Sequence, residues 1–372
     1  MAKTPRSLAV DSDTKRISPL FAWHEATVNM PFCSQMPQSF QYPDLERSKN
    51  CNCISVDSLN ISGRTKNEVG IMYESCMYRG ILEKLNIRFA WAWCPDLVKV
   101  GAFRHGEDAA SAHLLGRCLC AAAVLVPLLG DDERWVIRWE YTGVLRSILV
   151  EFGHRGDIRG IINPCDLVDY AATEADVFGE EPGKVFVTQS TSQKVLHSGV
   201  SEAPLGDPVR DLEYFLCISH QIETGLVAMI GFSGDEEQPV EIAQSFMIQA
   251  LPDCDLEILD RLRQKLQSPE FRRFLRRVPD CDNYLEKMLH CLLQDEVAKE
   301  DGAYSIYEGV KPVWQCLCNR QQIGKALAAI PPDEQKRMLA NGESVRVRCE
   351  FCGENYEFGP DALRELWRVD EP

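Results

Sequence analysis

WVIRWEYTGVLRSILVEFGHRGDIRGIINP, residues 135–164, sets the fold class of this chain. Apolar and polar side chains alternate from Trp135 to Trp139 and again from Val144 to Phe152, the period of strands with one buried face. Gly153 to Gly156 supplies a turn, and a further strand leads into Asn163-Pro164. Strands joined in this way predict an antiparallel meander. Just upstream, EDAASAHLLGRCLCAAAVLVPLL (107–129) is rich in Ala and Leu and predicts a buried helix ending near Pro127. Cys118 and Cys120 fall inside it, where residues two apart point away from one another, so they read as core thiols. Downstream, strands are expected at Lys184 to Gln189 and Gly225 to Gly231, with a helix from about Asp211 to Ser219 between them. The elements do not form an alternating βαβ array, and the class is α+β.

Residues 1–72 carry Pro5, Pro19, Pro31, Pro37 and Pro43 among Ser, Asn and Asp clusters, without sustained periodicity. They read as a weakly structured extension whose Cys33, Cys51 and Cys53 are idle thiols. The α+β domain is expected over 73–252. From Asp255 to Lys311, 22 of 57 residues are charged, against 26% for the whole chain, which marks residues 253–311 as a surface-bound or weakly packed helical linker. Leu256, Leu259, Leu262 and Leu266 share one helical face; Phe271, Phe274, Leu275 and Val278 form a second stripe, and Leu285, Met288, Leu289 and Leu292 a third. Pro269 and Pro279 punctuate them. Such narrow stripes on short helices must lean on a neighbouring domain, which leaves the segment poised to come loose.

The whole-chain numbers exclude several classes. A length of 372 residues implies two or three domains, and 45% hydrophobic with 26% charged residues excludes wholesale disorder. A formal charge of −16 repels phosphate backbones, so nucleic acid is not an expected partner. The longest apolar stretch, Cys118 to Gly130, is too short to span a bilayer, and no membrane association is expected. The amino terminus has no apolar core after its basic residues, so a cytoplasmic location is expected. Sixteen cysteines then read as core thiols, metal ligands or redox groups rather than a disulfide scaffold.

The most specific signal lies near the end: Cys316-Leu317-Cys318, thirty intervening residues, then Cys349-Glu350-Phe351-Cys352, with no histidine in the region. Two close pairs of soft thiolates can close a tetrahedral site, and one Zn²⁺ is the natural occupant. Four sulfur ligands leave no open position, so the site holds structure and does not activate water. A helix from about Asn319 to Ala329, a second opened by Pro331 and Pro332 and stopping near Asn341-Gly342, and strands Val345 to Val347 and Tyr356 to Phe358 complete a small domain over 312–372. A domain of that size buries little apolar surface, so the roughly 10–16 kcal/mol of a structural zinc site would dominate its folding.

Spacing alone leaves a plain stabilising zinc ribbon and a redox sensor equally open. The sensor gains from chemistry: close Cys pairs oxidise without chain rearrangement, and strained local disulfides are the more oxidising ones. Oxidation would consume the ligands and turn a chemical event into unfolding. A zinc-ribbon nucleic-acid-binding protein is the alternative, but residues 311–372 carry nine Lys and Arg against ten Asp and Glu. A thiol oxidoreductase using Cys349 and Cys352 would need a helix amino terminus to activate one thiol, whereas the pair falls in an expected hairpin turn. The seven histidines form no triad or metal motif, and the chain does not read as an enzyme.

Over about residues 75–367 the sequence resembles the heat shock protein 33 family of redox-regulated holdase chaperones. The resemblance is carried by WQCLCNRQQIGKALAAI and RVRCEFCGENYEFGPDALREL, by YTGVLRSILVEFGHRGDIRGIINP, and by SFMIQALP (Ser245 to Pro252). It departs at Gly206-Asp207-Pro208, where the family usually has Gly-Glu-Ile, and at Gln244-Ser245, where a Gly pair is usual. The resemblance implies Cys316, Cys318, Cys349 and Cys352 as zinc ligands and oxidant-responsive thiols, in a reduced zinc form that is inactive. It further implies that oxidation pairs Cys316 with Cys318 and Cys349 with Cys352, that zinc leaves and the linker unfolds, and that the exposed surface captures unfolding proteins without ATP. Dimerisation on oxidation and hand-over of clients to an ATP-dependent chaperone system are implied as well.

Overall fold

A computed structural model describes residues 74–106, 108–168, 173–233, 235, 238–293 and 304–367. The extension read over 1–72, with Cys33, Cys51 and Cys53, lies outside the described residues, as do 294–303 of the expected linker. The described chain divides into two compact units, one running to Trp314 and the other starting at Gln315.

The first unit is built in layers. Its strands and helices run β1 (Cys76–Leu82), β2 (Ile87–Trp93), α1 (Pro95–His105), α2 (Ala109–Ala123), β3 (Arg134–Glu140), β4 (Ser147–Gly153), β5 (Asp157–Asn163), α3 (Glu174–Phe178), β6 (Gly183–Ser190), β7 (Val195–Ala203), α4 (Pro208–Ile218), β8 (Thr224–Phe232) and β9 (Val240–Ala250). They continue through α5 (Leu256–Leu266), α6 (Pro269–Leu275), α7 (Tyr284–Leu293), β10 (Ser305–Glu308) and β11 (Val313–Trp314). One sheet has the order β10-β1-β2-β9-β8, the other β11-β5-β4-β3-β6-β7. The expected meander is β3-β4-β5, antiparallel throughout, ending at a cis Asn163-Pro164 peptide.

The predicted apolar helix is α2, followed by a 3-10 turn at Val126–Leu128. Asp108 starts it: its carboxylate accepts from the Ser111 amide at 2.7 Å and from the Val168 amide at 2.9 Å, tying the helix entry to the loop after β5. The combined Ala109–Leu128 segment is long and apolar enough to cross a membrane by length and composition, longer than the sequence reading allowed. Its apolar character is accounted for by the fold, because 72% of its most apolar window is buried among the chain's own sheets. Cys118 and Cys120 are fully buried in it, as expected of core thiols.

Side-chain size sorts the two faces of the five-stranded sheet. On β2, Ala90 and Ala92 point toward the cluster around α2, where short side chains let a helix approach, while Phe89, Trp91 and Trp93 point to the opposite face. Against those aromatics pack Leu259, Leu262 and Leu266 of α5, Phe271 and Leu275 of α6, and Met288, Leu289 and Leu292 of α7, all buried. The apolar stripes of these charged helices lean on the sheet, whose aromatic face receives them. Leu256 departs from its stripe and is 53% exposed at the first turn of α5. Ser305–Glu308, read as part of a helical linker, instead pairs with β1 as an edge strand.

Two polar residues in β9 tie these layers. Gln244 is fully buried; its amide nitrogen donates to the Phe274 carbonyl at 3.2 Å and the Arg277 carbonyl at 2.9 Å, and its oxygen accepts from the Trp91 indole at 3.0 Å. Ser245, on the other face, donates to the Cys120 carbonyl at 2.6 Å. The Gly-to-Gln and Gly-to-Ser departures noted in the sequence are thus satisfied hydrogen-bonding positions. Likewise Asp207 caps α4, accepting from the Val209 and Arg210 amides at 3.0 and 3.1 Å, with Pro208 in its first turn.

The second unit contains α8 (Arg320–Leu327), α9 (Pro332–Ala340), the hairpin β12 (Val345–Arg348) and β13 (Asn355–Phe358), and α10 (Pro360–Trp367). Its core is small: Ile323, Leu327, Ile330, Met338, Val345, Val347, Phe358 and Leu363.

Candidate metal centre

Two local structures present the four cysteines. Cys316 and Cys318 lie just before α8, whose entry is fixed by Asn319, its side-chain oxygen accepting from the Gln322 amide at 2.9 Å. Cys349 and Cys352 lie in the turn of the β12–β13 hairpin, which pairs from Val345 with Phe358 to Arg348 with Asn355. There the Cys349 amide donates to the Glu354 carbonyl at 2.8 Å and the Gly353 amide to the Cys349 carbonyl at 2.7 Å. Gly353 has φ +75°, the left-handed conformation that a side chain would strain, and this lets the chain turn back directly after Cys352. The pair sits in a turn and not at a helix amino terminus, as the sequence predicts.

The structure brings all four sequence-predicted residues together: their sulfurs lie within 4.8 Å of one another. The short separations run between the two arms, 3.7 Å for Cys316 to Cys349 and 3.3 Å for Cys318 to Cys352. Sulfurs on a tetrahedral zinc at its usual bond length are about 3.8 Å apart, so this cluster is close to the size such an ion requires. Cys349 is buried and the other three are half-buried.

Electrostatics argues for a cation as well. Burial pushes the Cys318 and Cys349 thiols up, and the neighbouring sulfurs push them further, because several thiolates in this volume repel. Opposing this, the backbone amides of Cys352 and Phe351 point at the Cys349 sulfur, and the Tyr356 hydroxyl lies 3.1 Å from the Cys318 sulfur. Hydrogen-bond donors aimed at sulfur favour thiolate, the form that binds metal. An all-sulfur set with such donors fits a soft or borderline divalent cation, and the cysteine group can hold a metal ion. Tyr356 is the functional contact that the sequence reading missed; its signal was an aromatic hydroxyl on the return strand four residues after the second pair.

With this geometry in view, a family model described as Hsp33 protein matches residues 75–359. A 33 kDa chaperonin of Thermus thermophilus is 30% identical over 302 residues, covering 77% of this chain and 85% of that protein. The 33 kDa chaperonin of Geobacter sulfurreducens is 28% identical over 295 residues, covering 78% and 94%. Among solved structures, the crystal structure of a 33 kDa chaperonin, the heat shock protein 33 homolog of Thermotoga maritima, superposes with a TM-score of 0.62 at 23% identity, over 80% of this chain and all of that one.

Proposed function

The chain belongs to the Hsp33 family of chaperones, and we propose that it is a redox-regulated, ATP-independent holdase whose reduced form binds one Zn²⁺ through Cys316, Cys318, Cys349 and Cys352. The single observation that carries this reading is the convergence of four sulfurs, from two segments far apart in sequence, within 4.8 Å. When bound, the ion would neutralise the thiolates and join the two arms of a unit whose apolar core is too small to be stable alone.

The residues then supply the switch. Cys316 with Cys318, and Cys349 with Cys352, each lose two electrons to a hydroperoxide or hypochlorite, forming one sulfur–sulfur bond per oxidant reduced. Disulfide sulfur carries no thiolate charge, so the cluster loses its hold on a cation, and the segment 315–367 loses the cross-link that closes it. Pairing within each arm is what the family resemblance implies, although in the structure the short sulfur separations run between the arms. The helices α5 to α7 leave the sheet in turn, and the Phe89, Trp91 and Trp93 face they cover becomes the surface that captures unfolding proteins. Oxidised copies dimerise and later release clients to an ATP-dependent chaperone system, in the cytoplasm.

Light scattering from a thermally unfolding client tests this reading. The reduced chain should leave aggregation unchanged and the peroxide-treated chain should suppress it; equal suppression by both forms would refute the switch.

A further inference from the structure

A cavity of about 240 Å³ in the first unit lies among α2, the start of α4, strand β8 and α6. Four guanidinium groups line it: Arg117 from α2, Arg210 from α4, Arg272 from α6, and Arg276 just beyond α6. The lining holds a single carboxylate, Asp207, already committed to Arg117 through contacts of 2.8 and 3.0 Å. Arg272 donates to the Gln267 side-chain oxygen at 2.5 Å. Arg210, Arg272 and Arg276 have no carboxylate at ion-pair distance among the described residues.

Three guanidinium groups without a direct ion pair around one hollow are an arrangement with a cost, offset only in part by Glu213 near Arg210 and Asp207 near Arg272. The Arg272 guanidinium is held below its ordinary value by burial and by repulsion from Arg276, Arg117 and Arg210. His113, also on the lining, is driven toward its neutral form by burial and Arg117, so it adds a hydrogen-bonding group and no further charge. The volume falls below the roughly 300–1,000 Å³ of sites for drug-sized organic ligands. Planar guanidinium forks match tetrahedral oxyanions through paired hydrogen bonds.

We propose that this cavity binds a small phosphoryl oxyanion with two phosphoryl groups, of which diphosphate is the simplest, and that the bound anion bridges Arg272 and Arg276 to Arg117 and Arg210, fastening α6 to α2 and α4. The site is separate from the cysteine cluster, and the anion would bind whether or not those cysteines hold a metal.

The test is titration calorimetry of the reduced full chain with diphosphate, at ionic strength fixed with sodium chloride, paired with thermal melting and hydrogen exchange. Saturable one-to-one binding is expected, with new protection across residues 267–277. The Arg272→Gln, Arg276→Gln double variant should bind at least about tenfold more weakly. Without anion it should melt no lower than the parent, because like charges have been removed; this outcome separates a ligand site from arginines that merely support the fold. A nucleoside diphosphate arm identifies the source: equal or tighter binding assigns the phosphate tail of a nucleotide, and weaker binding assigns the free ion. Absence of saturable binding, equal affinity in the double variant, or a melting shift reproduced by sodium chloride alone would overturn the proposal.

Discussion

The buried side-chain amide of Gln244, in the middle of β9, donates to the backbone carbonyl of Arg277, two residues beyond the end of α6, 2.9 Å away. The Tyr284 hydroxyl donates to the same carbonyl at 3.3 Å, so sheet and helices share one polar junction inside an otherwise apolar layer. Replacing Gln244 with Leu leaves the Trp91 indole unpaired, at about 1–3 kcal/mol, and leaves the Phe274 and Arg277 carbonyls with the Tyr284 hydroxyl alone. Hydrogen exchange should accelerate across residues 256–293 while α2 and β3 to β6 keep their protection. Uniform acceleration would show that the junction stabilises the whole unit and not this layer.

Cys349 is the most enclosed of the four clustered sulfurs. A Cys349→Ser variant should lose metal stoichiometry, and residues 315–367 should lose slowly exchanging amides, since their core consists of eight buried apolar residues. Parent-like amide protection in that segment, in metal-free variant protein, would show that the apolar core suffices.

Tyr356 predicts a rate. A hydroxyl beside the Cys318 sulfur favours its thiolate, the form an oxidant attacks. The Tyr356→Phe variant should therefore react severalfold more slowly with peroxide, measured by loss of free thiol. Faster or unchanged oxidation would remove Tyr356 from the proposed switch.

His113 predicts a pH dependence. Burial and the Arg117 guanidinium push it down to about 4, with Asp207 acting the other way. Because the folded value lies below the ordinary 6.5, the unfolded chain takes up a proton that the folded chain refuses. The associated stability is complete above pH 6.5 and declines as pH falls toward 4. Between pH 7 and pH 5 the loss should be about 2 kcal/mol, read from urea midpoints, and His113→Gln should abolish that part of the slope. An identical slope in the variant would contradict the assignment.

The fully buried thiols should be chemically silent. The Cys94 and Cys120 sulfurs are 3.3 Å apart, and burial pushes the Cys118 and Cys120 thiols up. Brief alkylation of the native reduced chain, followed by peptide mass analysis, should leave Cys94, Cys118 and Cys120 unmodified. Early modification of any of them would mean that the α2 core opens readily.

Local signals were legible in the sequence and distributed ones were not. The period of Trp135 to Trp139 placed β3, and the two Cys pairs marked the four-cysteine cluster, because each rests on spacing within one short segment. The leucine stripes of α5 to α7 were legible as helical faces, but not their tight packing, which depends on Phe89, Trp91 and Trp93 from a strand more than 160 residues earlier. Helix α1 was not read, since Leu97, Val98, Gly101 and Ala102 give its buried face little hydrophobic contrast. Strand β10 was hidden in a charged stretch whose meaning comes only from its partner β1. The arginine-lined cavity gathers positions 117, 210, 272 and 276, which no local pattern connects.

The most direct measurement is the zinc content of the reduced full chain, followed through peroxide treatment alongside disulfide mapping. One zinc per chain is expected before treatment, and afterwards its loss in step with the appearance of Cys316–Cys318 and Cys349–Cys352 linkages. Reduced protein without zinc at these sulfurs, or zinc retained after all four thiols have been oxidised, would contradict the redox switch.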